Sequence, residues 1–572
     1  MQSSEDYQQY GPLKIVVCIK QVPLLSALRF DPETHRLVRE GVPLEVNELD
    51  VYALAEAVRL RDLHGGEVIA MTMGPPQAHT ALATAIAIGV NRAIHLNDRA
   101  FGGADTFATA RALAMAIKRE QPDLVFCGRH SIDAETAQVG PEIAEMLDIP
   151  QISAAQKVDM AVQNGKRAVI VVRETDDGSE TLAAPLPALV TTAERLNEGI
   201  WPDEAAIQSA GAQAERYQVA TAADLSPDSS LFGQPGSPTW VAGVEPDSYT
   251  REGRVLSGDD PANLVDELLS VLEAKGLLAH DAAAQDKEYQ SDQATTPVAL
   301  SRRQGDALPD RAIWVIAERS PQGIRKVTLE LLGKGAELAA DLHGELAALL
   351  FGGADAEQHA VTLAAYGAER VYIAADPALE DYSTEGYTAV VSSAIRNYRP
   401  AVVLLGSTTN GRDLAPRVAA RLGIGLTGDC IDLRIDEQSR LVQYKPAFGN
   451  QILSFILSKT PPAMSTLRPG MLRQVSPDFS RTPQITYLPT AGVAEQIRTT
   501  ILGRIERDTG TQALESARII VGIGMGVGEP PHYAEVYRLA ELLRAGIGAT
   551  RNVTDQGWLS KHMQIGLTGR AV

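Results

Sequence analysis

A chain of 572 residues is long enough for three or four domains of ordinary size, which excludes a single compact domain. Its formal charge of −20 repels phosphate backbones and anionic lipid, so no nucleic-acid partner is expected. Hydrophobic residues make up 45% and charged ones 22%, and the longest apolar runs, IVVCI at 15–19 and AVVLL at 401–405, are strand-sized, so the chain is not expected to be embedded in a membrane. Cys18, Cys127 and Cys430 have no neighbour at disulfide or zinc spacing and read as small core residues. The histidines show no HExxH or HxH spacing, so no transition metal is expected. The polar, acidic first dozen residues carry no apolar leader, which makes a cytoplasmic location the default.

From Leu13 the apolar pattern predicts strand 14–19, helix 50–63 stopped by Gly65 and Gly66, strand 67–73, and helix 77–88 stopped by Gly89. Strand 92–96, helix 106–119, strand 123–127 and helix 138–147 follow. Strands apolar on both faces belong to covered parallel sheets, so the fold class is α/β. After about residue 196 the rhythm stops, and a Pro-, Ser-, Asp- and Gly-rich stretch leads to one amphipathic helix at 262–275. Residues 280–310 lack a periodic apolar face and read as a linker.

A second α/β series starts at strand 312–317 and echoes the first. Gly89 and Gly128 are 39 residues apart, as are Gly367 and Gly406; the pattern of Pro141, Ala144, Leu147 and Ile149 returns as Pro416, Ala419, Leu422 and Ile424. The loop differs: Gly128 to Pro141 spans 13 positions and Gly406 to Pro416 spans 10. A third series near Arg518 offers strand RIIV, the glycines 522, 524, 526 and 528, then Pro530 and Pro531 opening a helix with Val536, Leu539, Ala540 and Leu543 on one face. Its 55 residues predict a partial Rossmann-like domain. The expected domains are 1–195, an arm 196–279, the linker 280–310, then 311–490 and 491–572.

Three predicted strand ends in the first domain carry phosphate-friendly chemistry: Gly74 before Pro75, Asp105 with Thr106 opening a helix, and the loop Gly128–Gly140. All fall at the carboxyl edge of a parallel sheet, where such sheets bind nucleotides. Helix capping is the commoner role for Asp105 and Thr106, and Asn47 with Asp50 reads as a capping-box variant before a ligand contact. The turn through Gly524 and Gly526 misses the dinucleotide fingerprint, because its third glycine would be Val527 or Glu529; a phosphate loop and a tight structural turn weigh equally.

KIVVCIKQVP, NELDVYALAEAVRL, DRAFGGADTFATA, GRHSIDAETAQVGPEIAEMLDIPQ and ERLNE, in that order, resemble the β subunit of electron transfer flavoproteins. RKVTLELLGKGAELA, YGAERVYIAADP, GRDLAPRVAARLGIGLTGDC, KPAFGNQILSFI, STLRPGMLR, GIGATRNVTDQGW and MQIGLTGR resemble the α subunit. The resemblance implies a fused β-then-α chain with two related nucleotide-binding-like domains and a partial flavin domain. It places AMP or a second FAD on Asn47, Asp105, Thr106, Thr109, Gly128, Asp133, Thr136, Gln138 and Val139, with FAD favoured because TAQVGPEIA and GADTFATA look like the bifurcating or nitrogen-fixation-linked branch. It sets Arg551 over the isoalloxazine of an α-type FAD to tune its potential, with Gly524, Gly526, Thr550, Gln564, Gly566, Thr568 and Gly569 around that cofactor.

Departures from the family pattern are Leu567 in the flavin loop, Met525 in the glycine turn, and an arm, GIWPDEAAIQSAGAQAE, in which Glu204 stands where an apolar docking anchor is usual. The family continues past GRAV with a further segment, so the α-type flavin is expected to be absent, weakly held or completed by a separate chain. The resemblance implies an electron carrier fed by an acyl-CoA or other flavin dehydrogenase or by NADH, and drained by a quinone oxidoreductase or a ferredoxin-type acceptor. A regulatory module holding AMP, ATP or FAD is the alternative, and a nicotinamide dehydrogenase is disfavoured by the failed fingerprint.

Overall fold

The computed structural model describes residues 11–246, 256–274, 311–506 and 514–566, apart from single positions and short stretches within them. The expected linker, Thr568 and Gly569 lie outside the described residues. Two compact units result: residues 1–246 with 304–507, and residues 247–303 with 508–572. Among the described residues no helix is long and apolar enough to cross a membrane.

In the larger unit the first half runs β1 (Leu13–Cys18), α1 (Glu48–His64), β2 (Gly66–Met73), α2 (His79–Ile88), β3 (Arg92–Leu96), α3 (Thr106–Glu120), β4 (Leu124–Gly128) and α4 (Val139–Met146). Next come the long strands β5 (Gln151–Gln163), β6 (Lys166–Thr175) and β7 (Gly178–Pro185), then β8 (Ala188–Thr192), α5 (Glu204–Gly211), β9 (Tyr217–Ala220) and β10 (Thr239–Pro246). The second half repeats this with β11 (Ile313–Ile316), α6 (Lys326–Leu342), β12 (Leu346–Gly352), β13 (Arg370–Ala375), α7 (Thr384–Tyr398), β14 (Val402–Gly406) and α8 (Thr409–Leu422). It continues through β15 (Leu426–Cys430), β16 (Asp432–Ile435), β17 (Leu441–Ala447), β18 (Ile452–Ser458), β19 (Ala463–Leu467), β20 (Gln484–Tyr487) and β21 (Thr500–Glu506).

The strand order confirms the repeat. The first sheet is ordered β9-β3-β2-β1-β4-β8-β5 and the second β20-β13-β12-β11-β14-β19-β15, the same seven positions in the same sequence. Each half also lends a strand to the other: β21 pairs antiparallel with β7, extending the first sheet to ten strands, and β10 pairs antiparallel with β18 beside β17 and β16. Both β1 and β11 are buried almost throughout, as strands covered on two faces must be. The equivalent helices α4 and α8 pack together between the halves. There Glu145 accepts from Arg417 Nε at 2.9 Å and from Arg421 Nε at 2.5 Å, and the Arg417 side chain is fully buried.

Past residue 196 the structure departs from the sequence reading, which foresaw one helix there. Helix α5, edge strand β9 and the exchanged β10 are present, and β9 completes the first sheet beside β3. In the smaller unit, β22 (Ile520–Ile523), α9 (Tyr533–Leu543) and β23 (Gly546–Ala549) form a parallel βαβ element, and α10 (Arg551–Asp555) follows. Strand β22 begins two residues later than the predicted RIIV strand. The helix predicted at 262–275 is Pro261–Ala274.

Candidate nucleotide sites

In the first half the chain steps from β1 outward to β2 and β3, then returns to place β4 on the other side of β1. The direction of winding therefore reverses between β1 and β4, and open parallel sheets bind ligands beyond the carboxyl ends of strands at such a point. Asp50, near the start of α1, ties those ends together by accepting from Lys20 N at 2.7 Å and Gly128 N at 3.0 Å. Burial pushes its carboxyl up to about 7, against the pull of those two N–H groups. Gly128 is required by this approach, since a Cβ there would lie 2.3 Å from Asp50 Oδ1. In-register neighbours Cys18 and Cys127 are buried free thiols beside it.

The loop from Gly128 to Gln138 is held on all sides. Asn47 does not cap α1 with its side chain, which corrects the capping-box expectation; its Nδ2 donates to His130 O at 2.9 Å and its Oδ1 accepts from Ile132 N at 3.1 Å. The reason is reach: the β4 loop passes close enough to take both ends of the amide. Lys20 Nζ holds Asp133 at 2.7 Å, and Asp133 O accepts from Phe448 N of the second half. Thr106 Oγ1 donates to Gln138 Oε1 at 2.6 Å, joining the start of α3 to that of α4. Asp105 caps α3 through Ala108 N and accepts from Thr239 N at 2.9 Å.

Asn47, Asp105, Thr106, Gly128, Asp133, Thr136, Gln138 and Val139 are thus tied directly or in pairs to this loop and the start of α3. Thr109 lies one turn further along α3, and Gly74 follows β2, where its carbonyl meets His95 Nε2 at 3.0 Å. Several buried polar atoms around the loop have no hydrogen-bond partner among the described residues: Arg129 Nε, His130 Nδ1 and Glu142 Oε2. Burial, aided by the charge of Asp105, drives the Glu142 carboxyl well above its usual range, which favours the protonated form that can donate as well as accept. Unmatched donors and acceptors at a strand-end crevice fit a nucleotide, whose phosphate, ribose and base offer both kinds of partner.

In the smaller unit the glycine turn follows β22 and Thr550 follows β23, so both stand beyond the carboxyl ends of paired strands, Ile523 opposite Ala549. A Cβ at Gly526 would meet no atom within 4 Å, and one at Gly524 would meet only Thr550 Cγ2 at 3.9 Å, so the turn is open. Next to it the buried Tyr533 hydroxyl has no partner among the described residues. Arg551 sits at the start of α10, 36% exposed, with Nε 3.5 Å from Asp555 Oδ2. Gln564 is buried and accepts from Thr554 Oγ1 at 2.8 Å, and Gly566 takes a left-handed φ of 106°. An open glycine turn, an unsatisfied hydroxyl and a cation at one sheet edge fit an anionic dinucleotide.

Compared with known proteins, residues 34–224 and 313–491 match the electron transfer flavoprotein domain, and residues 513–572 match the electron transfer flavoprotein FAD-binding domain. The chain belongs to the electron transfer flavoprotein family. It is 44% identical over 261 residues to the electron transfer flavoprotein subunit beta of Thermoanaerobacterium thermosaccharolyticum, covering 45% of this chain and 98% of that subunit. It is 38% identical over 263 residues to the alpha subunit of the same organism, covering 46% of this chain and 79% of that subunit. It is also 37% identical over 264 residues to Protein FixB of Azorhizobium caulinodans, covering 46% of this chain and 72% of FixB. This electron transfer flavoprotein is a beta-like half followed by an alpha-like half.

Sequence reasoning missed Ile200 and Trp201. They are 40% and 60% exposed just before α5, on the arm where Glu204 was weighed instead. Their adjacency to the helix start was the available signal.

Proposed function

We propose that this electron transfer flavoprotein carries electrons between a dehydrogenase or NADH and a quinone oxidoreductase or ferredoxin-type acceptor, using nucleotides held at both strand-end sites. FAD occupies the C-terminal site, and FAD in preference to AMP occupies the β1/β4 crevice. The observation that carries the reading is the set of unpartnered buried polar atoms at each sheet edge, in a chain whose residues 513–572 match the FAD-binding domain. Bound FAD supplies reversible uptake of one or two electrons. Arg551 supplies a fixed positive charge at the cofactor, which favours the state bearing added negative charge and raises the reduction potential. Thr550 and the glycine turn orient the cofactor, while Gln564, locked by Thr554, braces the loop beneath it. In the first half, Thr106 and Gln138 position the ligand from the two helix starts, and Asp50 holds the strand ends that frame it.

The test is the absorption spectrum and acid-released nucleotide of the purified full chain, with reductive titration. Two FAD per chain, both reducible, is the expected result; a colourless chain releasing only AMP or ATP overturns it. Arg551→Ala lowers the potential of one flavin, and an unchanged potential removes the role assigned to Arg551.

A further inference from the structure

Lys445 lies in β17, whose burial pattern turns Gln443 and Lys445 inward. Gln443 is satisfied there, its Oε1 accepting from Ser465 Oγ at 2.6 Å. Lys445 is only 4% exposed, yet its Nζ has no hydrogen-bond partner among the described residues. An unpaired buried ammonium costs several kcal/mol against an apolar residue of similar shape, so packing does not explain it.

The groups facing Lys445 include Asp429, Cys430, Glu135, Arg412 and His130. Asp429 is already shared by Arg412 at 3.0 Å and Arg468 at 2.5 Å, and Arg468 lies 3.9 Å from Glu135. Counted at their ordinary ionisation, three cations, Lys445, Arg412 and Arg468, face two carboxylates; burial draws the Lys445 ammonium below its usual range, a cost that an incoming anion relieves.

This cluster abuts the first half's ligand loop. Phe448, three residues after Lys445, donates its N–H to Asp133 O, and a Cβ on Gly428 would lie 2.9 Å from Thr136 O. His130, from that loop, faces Lys445, Arg412, Asp429 and Arg129, and its Nδ1 is a second buried atom without a partner. Every residue from Gly128 to Thr136 is half-buried, so the loop borders solvent on one side and the cluster on the other.

We propose that Lys445 is the second half's contribution to the first half's nucleotide site, its ammonium receiving a phosphate of the nucleotide held by the Gly128–Val139 loop. The inference rests on the reading that this loop binds a nucleotide. One phosphate oxygen would take the free ammonium donors, and His130 Nδ1 would take or give a further hydrogen bond. A phosphate bridging the halves also makes occupancy stabilise their docking, because the ligand binds only the assembled form.

The test uses the full chain stripped of nucleotide, as wild type, Lys445→Met, Lys445→Gln and Lys445→Arg, titrated calorimetrically with AMP, FAD, adenosine and inorganic phosphate, with thermal unfolding of each empty form. The Met and Gln variants should bind AMP and FAD about tenfold or more weakly, as loss of a charge-assisted contact implies. They should bind adenosine unchanged and unfold no earlier than wild type when empty, while Arg restores most of the AMP affinity. Equal AMP affinity in wild type and the Gln variant overturns the proposal, as does equal loss for AMP and adenosine, which marks a purely structural lysine. Inorganic phosphate binding as tightly as AMP overturns the nucleotide assignment. A wild-type chain that binds neither AMP nor FAD overturns the underlying reading, and the Lys445 inference falls with it. Should the Met variant fail to fold, the Gln and Arg pair decides.

Discussion

The two halves wind seven strands in the same order, yet they treat the same strand-end crevice in opposite ways. Each opens the helix after its third strand with a side-chain cap followed by threonine: Asp105 and Thr106 in the first half, Ser383 and Thr384 in the second. Each threonine then reaches the residue three positions before the matching proline, Gln138 before Pro141 and Asp413 before Pro416. In the first half that partner is a neutral amide, and unpartnered polar atoms remain nearby. In the second it is a carboxylate already engaged by protein donors, accepting from Tyr382 Oη at 2.6 Å, from the Thr384 hydroxyl and, across the halves, from Gln151 Nε2 at 2.7 Å. The loops differ in the same sense: α4 starts at Val139, well after β4, whereas α8 starts at Thr409 so close to β14 that a Cβ on Gly411 would lie 1.9 Å from Gly406 O. One scaffold therefore gives two crevices of different chemistry, one edged by unpartnered polar atoms and one whose carboxylate is already held, beside a cavity of about 360 Å³ lined by Gln151, Arg173, Tyr382 and Thr384.

The largest expected effect breaks the seam on which the comparison depends. Glu145→Ala strips Arg417, fully buried between α4 and α8, of its carboxylate, and leaving a buried cation unpaired costs about 3–5 kcal/mol. Denaturant unfolding should show that loss, and a change under about 1 kcal/mol would mean the carbonyl of Ile149, 3.1 Å from Arg417 Nη1, suffices alone.

What was legible in the sequence follows from what writes a local signal. The parallel strands are continuous apolar runs and helices α1 and α2 end at glycines, so β1 through α4 emerged within a residue or two of their observed bounds. The half-exposed hairpin β5–β7, with QKVDMAVQ alternating in polarity, gave a weaker pattern, and exchanged strands β10 and β21 are fixed by partners hundreds of residues away. At the site, residues at helix starts and glycine turns were readable because capping and phosphate chemistry share them. The cross-loop role of Asn47 was not, since it depends on where His130 passes, and Lys445 was invisible because a charged residue in an alternating strand reads as surface.

The next effect sharpens the comparison through pH. Both halves bury a carboxyl at the switch point, Asp50 against β1 and β4, and Glu318 accepting from Thr408 Oγ1 at 2.8 Å, and burial raises each to about 7. A raised folded pKa means that the folded chain keeps a proton the unfolded chain has released, so stability is greatest below about pH 4 and declines as pH rises towards 7. For Glu318 that decline is about 2 kcal/mol between pH 5 and 7, at about 1.4 kcal/mol per unit. Glu318→Gln should flatten the profile by that amount when unfolding is followed in denaturant at several pH values. An identical slope in wild type and variant would show that the carboxyl is ionised in the fold.

The last change carries the most information about function. Gln138→Asp imports into the first half the carboxylate that fills the same position in the second. Thr106 keeps an acceptor, but Gln138 is buried and its Nε2 also donates to Leu426 O at 3.4 Å, so the empty chain should lose about 1–3 kcal/mol. Nucleotide retention should nevertheless collapse, because a negative charge then stands where a phosphate must approach and no further hydroxyl or amide arrives to hydrogen-bond it, as those of Tyr382 and Gln151 do for Asp413. The reciprocal Asp413→Asn should leave nucleotide content untouched while lowering stability, since hydroxyl and amide donors lose a charged acceptor. If the Gln138→Asp variant still purified with its nucleotide, charge at this position would not separate the halves, and loop length alone would have to explain why one crevice takes a nucleotide.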